Sequence, residues 1–96
     1  MLERDFQKNL MVKLQKLFPG AFVFKSDAFR FQGFPDVLIL YGQRWAGLEC
    51  KASENAPHRP NQDYYVEHMN NESFARFIYP ENEETVIAEL KEYFGQ

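Results

Sequence analysis

A single cysteine, Cys50, occurs in 96 residues, so no internal disulfide can form and a reducing compartment is expected. No apolar run approaches the roughly 20 residues of a membrane-crossing helix. The opening Met1-Leu2-Glu3-Arg4-Asp5 is too charged for a signal peptide. The expectation is a soluble, cytoplasmic chain with no membrane partner. Only two histidines occur, His58 and His68, and they do not form a zinc-type cluster. There is no glycine-rich phosphate loop and no Ser-His-Asp order, so no small organic cofactor is expected. Repeats, linkers and low-complexity stretches are also missing. The length leaves room for one core, and residues 1–96 are read as one domain.

The chain lacks a basic surplus too, with a net charge of −3. Its charge is nevertheless uneven. Through Pro60 there are nine Lys or Arg against six Asp or Glu; from Asn61 onward there are two against eight. A long basic footprint is thereby excluded, but an acidic half can face away from an anionic partner. Aromatic residues are abundant at 17%, which supplies large buried areas to a small core.

Apolar spacing sets the order of elements. Phe6, Leu10, Leu14 and Leu17 make one helical stripe between Leu2 and Phe18, ended by Pro19-Gly20. Ala21 to Lys25 reads as a strand, and Ser26 to Gly33 as a polar-aromatic loop. Val37 to Tyr41 is apolar on both faces, as in a central strand. Gly42-Gln43 is a hairpin turn, and Trp45 to Lys51 is the return strand. Pro60, at a first helical position, opens a helix to about Asn70 with Tyr65, Val66 and Met69 as its stripe. Phe74 to Tyr79 is a fourth strand, and Glu81 to Phe94 a last helix. The order α-β-β-β-α-β-α predicts an α/β fold, a mixed sheet flanked by helices.

The hairpin carries unusual charges. Pro35-Asp36 opens its first strand and Glu49-Cys50-Lys51 closes its second. With a two-residue turn, Tyr41 pairs with Arg44, and stepping outward sets Asp36 opposite Glu49. Opposed side chains share a face with Cβ atoms about 5 Å apart. Lys51 lies on that face too, roughly 6–7 Å further along. A one-residue slip would part Asp36 from the other two. Two carboxylates this close repel unless a cation lies between them. Mg²⁺ takes one or two carboxylates and fills its octahedron with water and phosphate oxygens. Asp36 and Glu49 are therefore candidate metal ligands, with the Cys50 carbonyl as a further hard oxygen. Lys51 is the candidate donor to an attacking water or a phosphate oxygen, and metal-assisted hydrolysis of a phosphodiester is the chemistry this set fits. The Cys50 thiol points to the opposite face. The plainer alternative is a loop cap at Asp36 and a solvated Glu49–Lys51 pair.

These residues and their flanks resemble the PD-(D/E)xK nuclease superfamily, in particular small VRR-NUC-like or phage-type endonucleases. The resemblance runs through Leu2-Glu3-Arg4-Asp5-Phe6-Gln7, Gln32-Gly33-Phe34-Pro35-Asp36, Gly47-Leu48-Glu49-Cys50-Lys51, Arg59-Pro60-Asn61-Gln62 and Phe77-Ile78-Tyr79-Pro80. It implies a restriction-endonuclease-like core and a Mg²⁺- or Mn²⁺-dependent DNA endonuclease of a bacterial host or phage. Asp36 and Glu49 would then bind metal and Lys51 would be the catalytic lysine. Glu3 would be the first-helix carboxylate and Gln62 the glutamine after the Glu-x-Lys. For Glu3 the alternative is an acid favoured by the helix dipole; for Gln62, a structural hydrogen bond. Lys25, Ser26, Arg30 and Gln32 lie on the approach to Asp36, and His58 and Arg59 precede Gln62; these are candidate DNA contacts. So small a domain implies a homodimer on branched or structured DNA, as in resolvase-like relatives. A nickase, a nuclease without structure preference and a DNA-binding module needing a partner for cleavage remain alternatives. Phe29, Phe31 and Phe34 could be dimer contacts, DNA-stacking groups or core.

Overall fold

Helix α1 (Glu3–Leu17) leads into a four-stranded sheet of β1 (Phe22–Lys25), β2 (Val37–Tyr41), β3 (Arg44–Cys50) and β4 (Phe74–Ile78). Helix α2 (Gln62–Glu72) connects β3 to β4, and α3 (Glu83–Tyr93) closes the chain. The computed structural model describes residues 1–27 and 30–96, so the expectation placed on Phe29 lies outside the described residues. The sheet runs β1-β2-β3-β4. The first three strands are antiparallel, and β4 is parallel to β3 because α2 carries the chain back across the sheet. The expected element order and mixed sheet are both present. Among the described residues no helix is long and apolar enough to cross a membrane.

Alternation along the strands divides the core into two layers. Val37, Ile39, Ala46, Leu48, Cys50 and Ile78 face α1 and α3, meeting Phe6, Leu10, Leu14, Val86 and Leu90. Ala75, Leu38, Trp45 and Phe77 face α2, meeting Val66 and Met69. Helix α2 therefore overlies the half of the sheet that carries Glu49. Phe34 joins this second layer against Tyr65, with ring centroids 5.4 Å apart, whereas Phe31 is exposed.

Two helix starts differ from expectation. Helix α2 begins at Gln62, and Pro60 lies outside it; Asn61 occupies the N-cap at φ 71. The cause is a neighbouring loop. Gly33, at φ +88, lies so close that an added Cβ would be 2.6 Å from the Pro60 carbonyl oxygen. The chain turns at Asn61, a residue type that tolerates the left-handed region, before the helix can start. Helix α3 begins at Glu83 rather than Glu81. Asn82 spends its side chain on the Tyr79 N–H (2.9 Å) and the Phe77 carbonyl (3.0 Å), holding residues 79–82 as a turn. Gly33→Ala is expected to destabilise the fold by about 1–3 kcal/mol, since it combines a strained φ with a backbone clash. Urea unfolding checks this.

Candidate active site

The β2–β3 hairpin has the expected register. Tyr41 pairs with Arg44, and the ladder runs outward to Val37 opposite Leu48. Gly42 holds φ 63 in the turn, the value that a Gly-first hairpin turn requires. One step beyond the ladder come Asp36 and Glu49. Here a side chain replaces the backbone acceptor: Asp36 Oδ2 receives the Cys50 N–H at 3.0 Å. Ser26 secures the other flank, its N–H donating to the Asp36 carbonyl (2.8 Å) and its hydroxyl to the Pro35 carbonyl (2.6 Å). Asp36 is thus held from both neighbouring strands.

Glu49 and Lys51 are buried at 2% and 4% exposure, and Gln62 at 6%. Such groups require partners, and Gln62 supplies them to both. Its Nε2 donates to Glu49 Oε2 at 2.9 Å, and its Oε1 accepts from Lys51 Nζ at 2.6 Å. The Arg59 N–H, at 2.8 Å, also reaches that Oε1 and fixes the amide's orientation. Lys51 Nζ makes a second bond to the Pro57 carbonyl at 3.1 Å. An ammonium has three donors, so one remains for a ligand. Gln62→Ala is expected to lower the activity proposed below by about 10–100-fold, as loss of an orienting partner does. Steady-state kinetics beside a thermal melt would check it.

The other oxygen of Glu49, Oε1, is buried with no hydrogen-bond partner, the one such side-chain atom among the described residues. Burial, first, raises the Glu49 carboxyl to about 9, and the charge of Asp36 pushes the same way. Lys51 pulls the value down, and Glu3 adds the smallest upward push. With no cation present, burial and the neighbouring Asp36 charge therefore favour the protonated form of Glu49. The Cys50 thiol is raised as well, by burial and then by Asp36 and Glu49, and remains an inert part of the core.

The donor set is two carboxylate oxygens, one of them orphaned, and a backbone carbonyl. Cys50 directs its N–H toward Asp36, and within a strand a residue's carbonyl leaves on the same side as its N–H. Hard oxygens in this number suit Mg²⁺ or Mn²⁺, with water completing the shell. Among the described residues no three His, Cys, Asp or Glu side chains form a metal-holding group. Glu3, half-buried at the start of α1, acts on Glu49 only through its field. Gln7, one turn on, is buried on the same helix face.

The remaining candidates separate. Lys25 and Arg30 line a groove of about 440 Å³ with Phe24, Phe31, Phe34 and Leu38, while the Ser26 hydroxyl is committed to Pro35. Arg59 is exposed beside Gln62, and the Gln32 carbonyl takes a long contact of 3.5 Å from Asn61. Two participants escaped the sequence reading. The Pro57 carbonyl leaves no signal because every residue has one. Asp63 pairs with His58 across five positions and looks like any exposed acid of a first helical turn. No protein-family model, curated protein or solved structure matches the chain.

Proposed function

We propose that this chain is a Mg²⁺- or Mn²⁺-dependent endonuclease hydrolysing DNA phosphodiesters, built on the restriction-endonuclease-like core of the PD-(D/E)xK superfamily in the manner of VRR-NUC-like and phage-type enzymes. One observation carries the reading: the orphaned Glu49 Oε1 beside Asp36, with Lys51 tied to the same carboxylate through Gln62. A purely structural hairpin does not need a buried carboxyl with an unpartnered oxygen beside a second carboxylate.

A bound divalent cation would supply a water of lowered pKa and neutralise charge on the phosphate. Asp36 and Glu49 would hold it, with the Cys50 carbonyl as a third donor. The protein's own part is positioning. Gln62 keeps Glu49 and Lys51 at fixed separation, and the third Lys51 proton meets a non-bridging phosphate oxygen or the attacking water. Lys25, Arg30 and Arg59 would contact flanking phosphates.

The substrate would be branched or structured DNA, cut by a homodimer. Phe22 and Leu40 pair across β1 and β2 on one face and remain 71% and 42% exposed, apolar surface that a second copy would cover. Sedimentation measures the oligomeric state. For activity, the purified chain is incubated with supercoiled plasmid and with a four-way junction in Mg²⁺, Mn²⁺ or EDTA. Metal-dependent cutting with preference for the junction supports the reading. Equal cutting of both, or nicking alone, favours a nuclease without structure preference. Binding without cutting under every metal points to a module that needs a partner, and metal-independent cutting overturns the mechanism.

A further inference from the structure

We propose that His58 is a phosphate-contacting residue of this site, fixed in place by Asp63 and Phe77; the inference rests on the nuclease reading above. The ring is constrained far beyond what an exposed loop residue needs. It stacks on Phe77 with centroids 4.0 Å apart and planes 16° from parallel. Its Nδ1 lies 2.7 Å from Asp63 Oδ1 on the first turn of α2. The backbone on either side is tied into the catalytic cluster, Pro57 accepting from Lys51 and Arg59 donating to Gln62. Phe77 is the β4 residue in register with Glu49. His58 thus covers the ring immediately beside the buried carboxylate, on the same face of the sheet.

This arrangement leaves one ring atom for a ligand. A carboxylate only accepts, so Nδ1 carries the proton donated to Asp63. Nε2 has no protein partner among the described residues, and the side chain is 37% exposed. The Asp63 carboxylate is itself an anion, 74% exposed, and would repel DNA if left alone. When both ring nitrogens carry protons, Nε2–H on the opposite ring edge is a charge-assisted donor for a phosphodiester oxygen. The ligand class is a nucleic-acid backbone phosphate next to the one being cut. Two rigid contacts hold the ring in advance, so little side-chain freedom is lost on binding.

The test compares wild type, His58→Gln and His58→Phe, the last keeping the stack on Phe77 without a donor. Binding to a labelled four-way junction is measured by anisotropy in Ca²⁺ over a range of NaCl, beside thermal melts and cleavage kinetics in Mg²⁺. Both variants should bind about tenfold more weakly, with a slope of log K against log[salt] reduced by about one. KM rises and kcat changes little. Unchanged slope and KM in His58→Phe would overturn the proposal while wild-type cleavage leaves the nuclease reading intact. Wild-type protein that neither binds nor cuts would instead overturn that reading, and this inference with it.

Discussion

Lys51→Ala should fold and lose metal-dependent DNA cleavage by about 10²–10³-fold, the range for removal of one preorganised donor to developing charge. Lys51 is 4% exposed, and two of its three protons are committed, to Gln62 Oε1 and the Pro57 carbonyl. Those bonds aim the third. In water the same ammonium would reorganise; here no reorganisation is needed when charge develops. Removal also withdraws the one contribution that lowers the Glu49 carboxyl. Lys51→Arg should not restore the rate, because a planar guanidinium cannot reproduce the compact ammonium between Gln62 and Pro57. Circular dichroism shows whether each variant folds, and single-turnover kinetics at saturating DNA isolates the chemical step. A Lys51→Ala variant cutting within threefold of wild type would exclude the assigned role.

The second large effect is a gain in stability accompanied by a loss of function. Glu49→Gln should abolish cleavage and raise stability in neutral to alkaline solution without metal. The folded-state value of Glu49 is raised from 4.5 to about 9. A raised carboxyl binds a proton in the folded state that the unfolded chain has already released. Its stabilisation is fully present below pH 4.5 and is lost as pH rises toward 9. The slope for one proton is at most about 1.4 kcal/mol per pH unit. An amide has no such proton. It accepts from Gln62 as before and donates toward Asp36, so its stability should be nearly flat across that window. Urea unfolding at pH 5, 7 and 9 in EDTA, for both proteins, checks the sign. A wild-type stability that rises from pH 5 to 9 relative to the variant would contradict it. Under the proposed function the trade is the familiar one of active sites, where a group kept for chemistry is a burden on the fold.

How much of this was legible in the sequence varies with the source of each constraint. The hairpin register was, because Gly42 selects the turn and two apolar runs admit only one pairing that buries them. That pairing sets Asp36 opposite Glu49 on the sequence alone. The burial of Gln62 followed from its position on the Val66–Met69 stripe, but its link between Glu49 and Lys51 did not. The start of α2 was misjudged because Pro60 reads as a helix opener until Gly33, distant in sequence, packs against it. The His58–Asp63 pair was illegible as a pair: neither residue lies on an apolar face, and only the stack on Phe77 brings the loop to the helix. Ser26 reads from the sequence as a candidate DNA contact, and its clamp on Pro35-Asp36 was not legible there.

The most direct test of the carboxylate pair as a cation site is calorimetric titration of the DNA-free protein with Mn²⁺ at pH 7 in two buffers of different ionisation enthalpy. If the cation takes the place of the proton held by Glu49, one ion binds and about one proton is released, and Glu49→Gln shows neither. Absence of binding, binding without proton release, or binding that survives Glu49→Gln unchanged would contradict it.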